Sequence, residues 1–181
     1  MIPSLYTFSL IAAVALLVAG IPFLFAPGRI EKAVRAFPRH RLTGVLTMVL
    51  GGGWFLFKIS QLTQSDFGDY KNLLLLLFLA TLIGSIFYVK DFLAVRGVSI
   101  LILLSANTGL KSAFGLYDIP ERLVLVTVLY LFILASIIYG IAPYHMRDSI
   151  NALYRKPMYP RLLGIILVLM GSSVLVAAFN Y

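Results

Sequence analysis

The sequence predicts an all-α, polytopic transmembrane bundle, and three observations carry that prediction. Hydrophobic residues fill 61% of the 181 positions and charged residues only 12%, whereas a soluble domain is about a quarter charged. Apolar runs of bilayer length follow one another with short connections, about six in all. The connections alternate in charge. Moving Lys and Arg across a membrane is costly, so they collect on the untranslocated side. A chain of 181 residues then holds one transmembrane domain, 1–181, divisible into hairpin units at roughly 1–61, 72–117 and 123–181. Little is left for a soluble domain, so any chemistry sits inside the bundle or at its faces.

The first run covers about 5–26; it lacks a basic leader and is as long as a full span, which favours a helix over a signal peptide. The next segment, PGRIEKAVRAFPRHR, carries Arg29, Lys32, Arg35, Arg39 and Arg41. Ile30, Ala33, Val34 and Phe37 line its other face at helical spacing, the pattern of a helix lying in the interface with its cations toward headgroups. The second run, about 42–61, contains GGGW and ends near Lys58, an interfacial anchor. An acidic connection with Asp66 and Asp69 leads to the third run, about 72–89. The third connection is basic again, with Lys90 and Arg96. The fourth run, about 98–117, contains Asn107 and Lys111, so a re-entrant or partial span remains the alternative to a full one. A balanced turn with Asp118 and Glu121 precedes the fifth run, about 123–142. The fifth connection carries Arg147, Arg155, Lys156 and Arg161, with Met146, Ile150, Leu153 and Tyr154 on its apolar face. The last run is about 162–180. An even number of spans with basic odd-numbered connections places both termini outside. Tyr70, Tyr88, Tyr117, Tyr144, Tyr154, Tyr159 and Tyr181 fall near the proposed ends, where an amphipathic ring is favoured.

RLTGVLTMVLGG from Arg41 is echoed by RLLGIILVLMGS from Arg161, 120 residues later. In that register Arg35 meets Arg155, Arg41 meets Arg161, Gly44 meets Gly164 and Gly51 meets Gly171. A shift of 53 gives a fainter middle copy, with Gly44 on Gly97 and Lys58 on Lys111. These matches suggest an internal repeat of helical hairpins related by an axis along the membrane normal. Hydrophobic monotony is the competing explanation.

The stretch APGRIEKAVRAFPRHRLTGVLTMVLGG resembles small two-helix bacterial inner-membrane proteins of unknown function. The matching positions are Ala26, Pro27, Pro38, Arg39, Arg41, Leu42, Gly44 and Gly51, and residues 143–171 follow the pattern more loosely. The resemblance implies a bacterial cytoplasmic (inner) membrane and brings no activity with it.

Several function classes lose their chemical basis. There are no cysteines, so disulfides and thiolate chemistry are absent. His40 and His145 both sit at boundaries, without the partner histidine or carboxylates that a haem or metal site needs. No carboxylate pair lies within a span, and no phosphate loop or nucleophile elbow is present. The expectation is therefore no enzyme, no cofactor and no metal. The net charge of +8 follows topology and forms no groove, which argues against nucleic acid.

What remains is a polar arc on the fourth run. At 100° per residue, Asn107, Lys111 and Asp118 fall within roughly 40°, and Ser105, Thr108 and Ser112 extend the arc. A charge near mid-span costs about 2.5–3.5 kcal/mol. Either Lys111 lines a cavity and binds an anionic group, or it snorkels outward toward Asp118 and Glu121; its place in the outer half of the run favours snorkelling. Gly44, Gly51, Gly52, Gly53, Gly164 and Gly171 are candidate helix-packing positions. Arg35, Arg41, Arg155 and Arg161 are candidate lipid-headgroup contacts. The expected function is a small integral subunit or assembly factor that packs against a partner membrane protein or a second copy. The alternative is a small-solute or anion transporter or channel using the polar face of the fourth span.

Overall fold

A backbone in hydrocarbon has no water to bond, and a helix satisfies its N–H and C=O groups within one segment. The computed structural model describes residues 4–89 and 91–181. Lys90, placed above in the third connection, lies outside the described residues. Among these residues there are eight α-helices and no strand: α1 (Leu5–Phe25), α2 (Pro27–Ala36), α3 (Arg41–Ser60), α4 (Lys71–Tyr88), α5 (Leu93–Ala113), α6 (Arg122–Ile141), α7 (Tyr144–Leu153) and α8 (Met158–Phe179). Six of them, all but α2 and α7, are long and apolar enough to cross a membrane.

Local chemistry explains the boundaries. The Ser4 hydroxyl accepts from the Thr7 amide at 3.1 Å and caps α1. His40 does the same for α3, its Nδ1 accepting from the Thr43 amide at 3.2 Å. Pro27 opens α2, and Pro143 stands just before α7. A first turn has unbonded amides in any case, so proline is tolerated there. That tolerance also lets α8 start at Met158 with Pro160 in its first turn, a few residues ahead of the apolar run.

The fourth span differs most from expectation. It is a full helix of 21 residues, but it begins at Leu93 and ends at Ala113. Two features stop it there. Gly115 takes a left-handed φ of 82°, which ends a helix cheaply only at glycine. Arg122 Nη1 donates to the Ala113 carbonyl at 2.8 Å, a cation on the negative end of the helix dipole. Arg96 consequently lies in the first turn of α5, and Asp118 lies beyond its last.

The chain divides into two compact units. One comprises the chain up to Arg35, 105–135 and 147–181. Within it α1 and α8 run antiparallel. Gly20 faces Gly164, while Leu16 and Leu17 face Gly171. The Tyr6 ring meets Phe179 edge-on at 6.4 Å, and the Ser9 and Tyr181 hydroxyls lie 2.9 Å apart. Leu16, Leu125, Leu129 and Val174 belong to the buried cluster of this unit. The other unit comprises 36–104 and 136–146. Here α3 runs antiparallel to α4, with Phe55 edge-on to Phe78 at 5.0 Å. It runs parallel to the start of α5, with Gly44 against Leu93 and Ala94, and Gly51 against Ile100. Before α5 the chain bends at Phe92, whose φ of 57° is left-handed, and its ring lies 5.7 Å below the Arg39 guanidinium.

Candidate functional site

Residues spaced by three and four share a helix face. On α5 that rule aligns Arg96, Ser99, Ile100 and Leu103; on α6 it aligns Ser136, Ile137, Gly140 and Ile141. With Met48 of α3, these two stripes enclose a cleft of about 400 Å³. Ser136 is 3% exposed and Ser99 6%. The Ser136 hydroxyl and the Arg96 Nε are buried without a hydrogen-bond partner. A Cβ added at Gly140 would stand 3.4 Å from the Ser99 Cβ, an ordinary contact, so glycine leaves lateral room beside the serine. A second cleft of about 340 Å³ lies among α3, α4 and α5, walled by Gly52, Phe55, Phe78 and Leu82 and sharing Met48, Ile100 and Leu103 with the first. Its polar members are self-satisfied: Thr81 Oγ1 donates to the Leu77 carbonyl and Ser85 Oγ to the Thr81 carbonyl, each at 2.8 Å.

The polar arc expected on α5 is only partly assembled. Asn107 and Lys111 lie exposed along one stripe, with Ser105 and Thr108 half-buried beside them. Ser112 is buried instead, its hydroxyl donating to the Gly109 carbonyl at 2.7 Å. Five residues on from Asn107 is about 140° around the helix, which turns it inward. Asp118 is exposed but off the helix. Neither cleft includes Asn107 or Lys111.

The glycine positions separate cleanly. Gly44, Gly51, Gly164 and Gly171 are buried at helix contacts. Gly52 abuts Leu82, whereas Gly53 is exposed with open space where a side chain would stand. Gly20, Gly97 and Gly109 are equally crowded. Gly97 had a signal, its match to Gly44 in the register of 53; the other two had none.

Among the arginines, Arg41, Arg155 and Arg161 are exposed. Arg35 joins α2 to α7: its Nε donates to Glu31 and its Nη1 to Asn151, both at 2.8 Å. Its guanidinium lies 5.2 Å from the Tyr154 ring centre. Burial raises the Tyr154 phenol above its ordinary value, Glu31 adds to the rise, and Arg35 opposes it. Arg96 and Arg122 were not singled out by sequence, because both resembled ordinary connection charges. His40 serves as a cap, and the His145 ring lies tilted beside that of Tyr144, centres 4.3 Å apart. No group of three His, Asp or Glu able to hold a metal occurs among the described residues.

Fold and surface together define an all-helical protein with six helices of membrane-crossing length and composition, and two amphipathic helices. Compared with the models of known protein families, with curated proteins and with solved structures, the chain matches none.

Proposed function

We propose that this chain is a small integral subunit or assembly factor of a bacterial inner membrane, working by helix packing against a partner membrane protein or a second copy of itself. One observation carries the reading. Asn107 lies about 9 Å inside the end of α5 by helical rise, is exposed on the chain's surface, and makes no side-chain hydrogen bond among the described residues. Amides left bare in hydrocarbon are unfavourable, and a neighbouring helix is the usual remedy. Lys111, one turn on, lies near enough to the helix end to snorkel. Its outward position supports docking over a lined pathway for solute.

The orientation, with both termini outside, rests on the charge alternation of the connections. The internal repeat is part of the same reading. It is supported by Gly44 being buried about one turn into α3 and Gly164 nearly two turns into α8, with Gly51 and Gly171 buried seven residues further on in each.

A photo-crosslinking residue at position 107 should give one discrete adduct in cells, with a companion or with a second copy. The same species should co-purify in gentle detergent, and Asn107→Leu should reduce its yield several-fold, since interhelical polar contacts are worth about 0.6–2 kcal/mol. A lone monodisperse chain with no adduct at 107 overturns the proposal. Transport would instead require that Lys111→Met abolish flux in reconstituted vesicles.

A further inference from the structure

A guanidinium held among apolar helices calls for an anion or water to meet it. Arg96 is half-buried, and its side chain enters no ion pair or hydrogen bond among the described residues. Across the cleft, the buried Ser136 hydroxyl is also unpartnered. Several other helix hydroxyls close on their own backbone, as Thr47 does on the Thr43 carbonyl and Ser172 on the Val168 carbonyl, both at 2.8 Å. Ser136 departs from that habit in the cleft that Arg96 also lines.

The cleft is also graded. Arg96 lies about 4.5 Å from the start of α5 and Ser136 about 7.5 Å from the end of α6, by helical rise. With the helix ends taken as the edge of the hydrocarbon, that is the depth of headgroups and glycerol in a bilayer. Ile100 and Leu103 continue the same α5 face inward, and with Met48 they also wall the neighbouring apolar cleft. A cationic and hydroxylated mouth above an apolar wall is complementary to an amphiphile with an anionic head. The volume of about 400 Å³ admits a headgroup and the start of its chains.

We propose that this cleft binds one anionic phospholipid from the surrounding bilayer. Its phosphate oxygens accept from the Arg96 guanidinium and from the Ser99 and Ser136 hydroxyls, and its first methylenes lie against Ile100, Leu103 and Met48. The single unpaired cation selects a head carrying net negative charge over a zwitterionic one. This assignment stands apart from the docking surface at Asn107, and either can fail without the other.

Native mass spectrometry of the full chain tests it, with dioleoyl phosphatidylglycerol, dioleoyl phosphatidylcholine and inorganic phosphate titrated in turn. The wild type should retain one phosphatidylglycerol, and Arg96→Gln should weaken that binding about tenfold, the loss expected for a charge-assisted hydrogen bond. Arg96→Lys should restore most of it. Gly140→Leu, which fills the cleft and leaves the charge in place, should weaken it similarly. Equal retention by Arg96→Gln, equal affinity for phosphatidylcholine, or displacement of the lipid by millimolar inorganic phosphate each overturns the assignment. Should Arg96→Gln not fold, the comparison of the two lipids on the wild type decides.

Discussion

At the scale of single residues, position relative to a helix end decides what each charge does. Lys111 and Arg96 are both cations within apolar helices, and Arg96 lines the cleft between α5 and α6, which Lys111 does not reach. The apolar run points to a span at about 98–117, which puts Arg96 in the connection before it, whereas the helix is Leu93–Ala113 and holds Arg96 in its first turn. The clearest titration belongs to Tyr154, between α7 and α8. Burial and the nearby Glu31 favour its neutral form in the fold. A phenol raised in this way contributes stability that is fully present below the unfolded value of 10.0. That contribution is lost as pH climbs through the higher folded value. The 295 nm tyrosinate absorbance lost in Tyr154→Phe should therefore develop at higher pH than an ordinary phenol's. Glu31→Gln should move it down and Arg35→Gln up. A Tyr154 titration unmoved by both variants would contradict the cluster.

Between elements, packing depends on where a side chain is missing. A Cβ at Gly164 would stand 2.6 Å from the Leu24 amide nitrogen and 3.0 Å from the Gly20 carbonyl oxygen. Both are backbone atoms and cannot swing aside. Gly164→Ala must therefore push α1 and α8 apart, at about 1–3 kcal/mol for overpacking. Gly53→Ala meets nothing within 4 Å and should be neutral or stabilising by up to about 1 kcal/mol, the ordinary helix gain. Denaturant titration in mixed micelles compares the two, and equal effects would deny the close contact of α1 and α8. Existence of the helices was legible from sequence because lipid forces every apolar run to bond its own backbone. The amphipathic α2 and α7 are mostly legible from their spacing: Ile30, Val34 and the following Phe37 are half-buried and Ile150 buried, with Arg29, Lys32 and Arg147 exposed, whereas Ala33, expected on the apolar face, is exposed. Helix ends were less so, since they depend on caps, on Gly115 and on Arg122. Partner choice was not legible at all. Spacing marks Gly164 and Gly171 as contact positions, but nothing in one helix says that α1 is what they meet.

For the whole molecule, helix direction is the property that joins sequence to membrane. Six successive crossings require that the first and sixth oppose each other, that the second oppose the third, and that the second parallel the fourth. The pairs α1 with α8, α3 with α4, and α3 with α5 run in those senses. Charge supplies the absolute sense, because the connection holding Arg29, Lys32, Arg35 and Arg39 resists translocation while that holding Asp66 and Asp69 does not. These 181 residues contain no cysteine, so single thiols placed in them can be read without background. Asp69→Cys should react with a membrane-impermeant maleimide in intact cells. Arg35→Cys should react only after the membrane is opened, as the proposed orientation requires. The α1–α8 pairing adds a second requirement. A thiol at Tyr6 and one at Phe179 approach across the 6.4 Å ring contact, so both must be labelled from the same side as position 69. Labelling of 35 from outside would reverse the orientation, whereas labelling of 6 without 179 would break the pairing and reduce the number of crossings to an odd one.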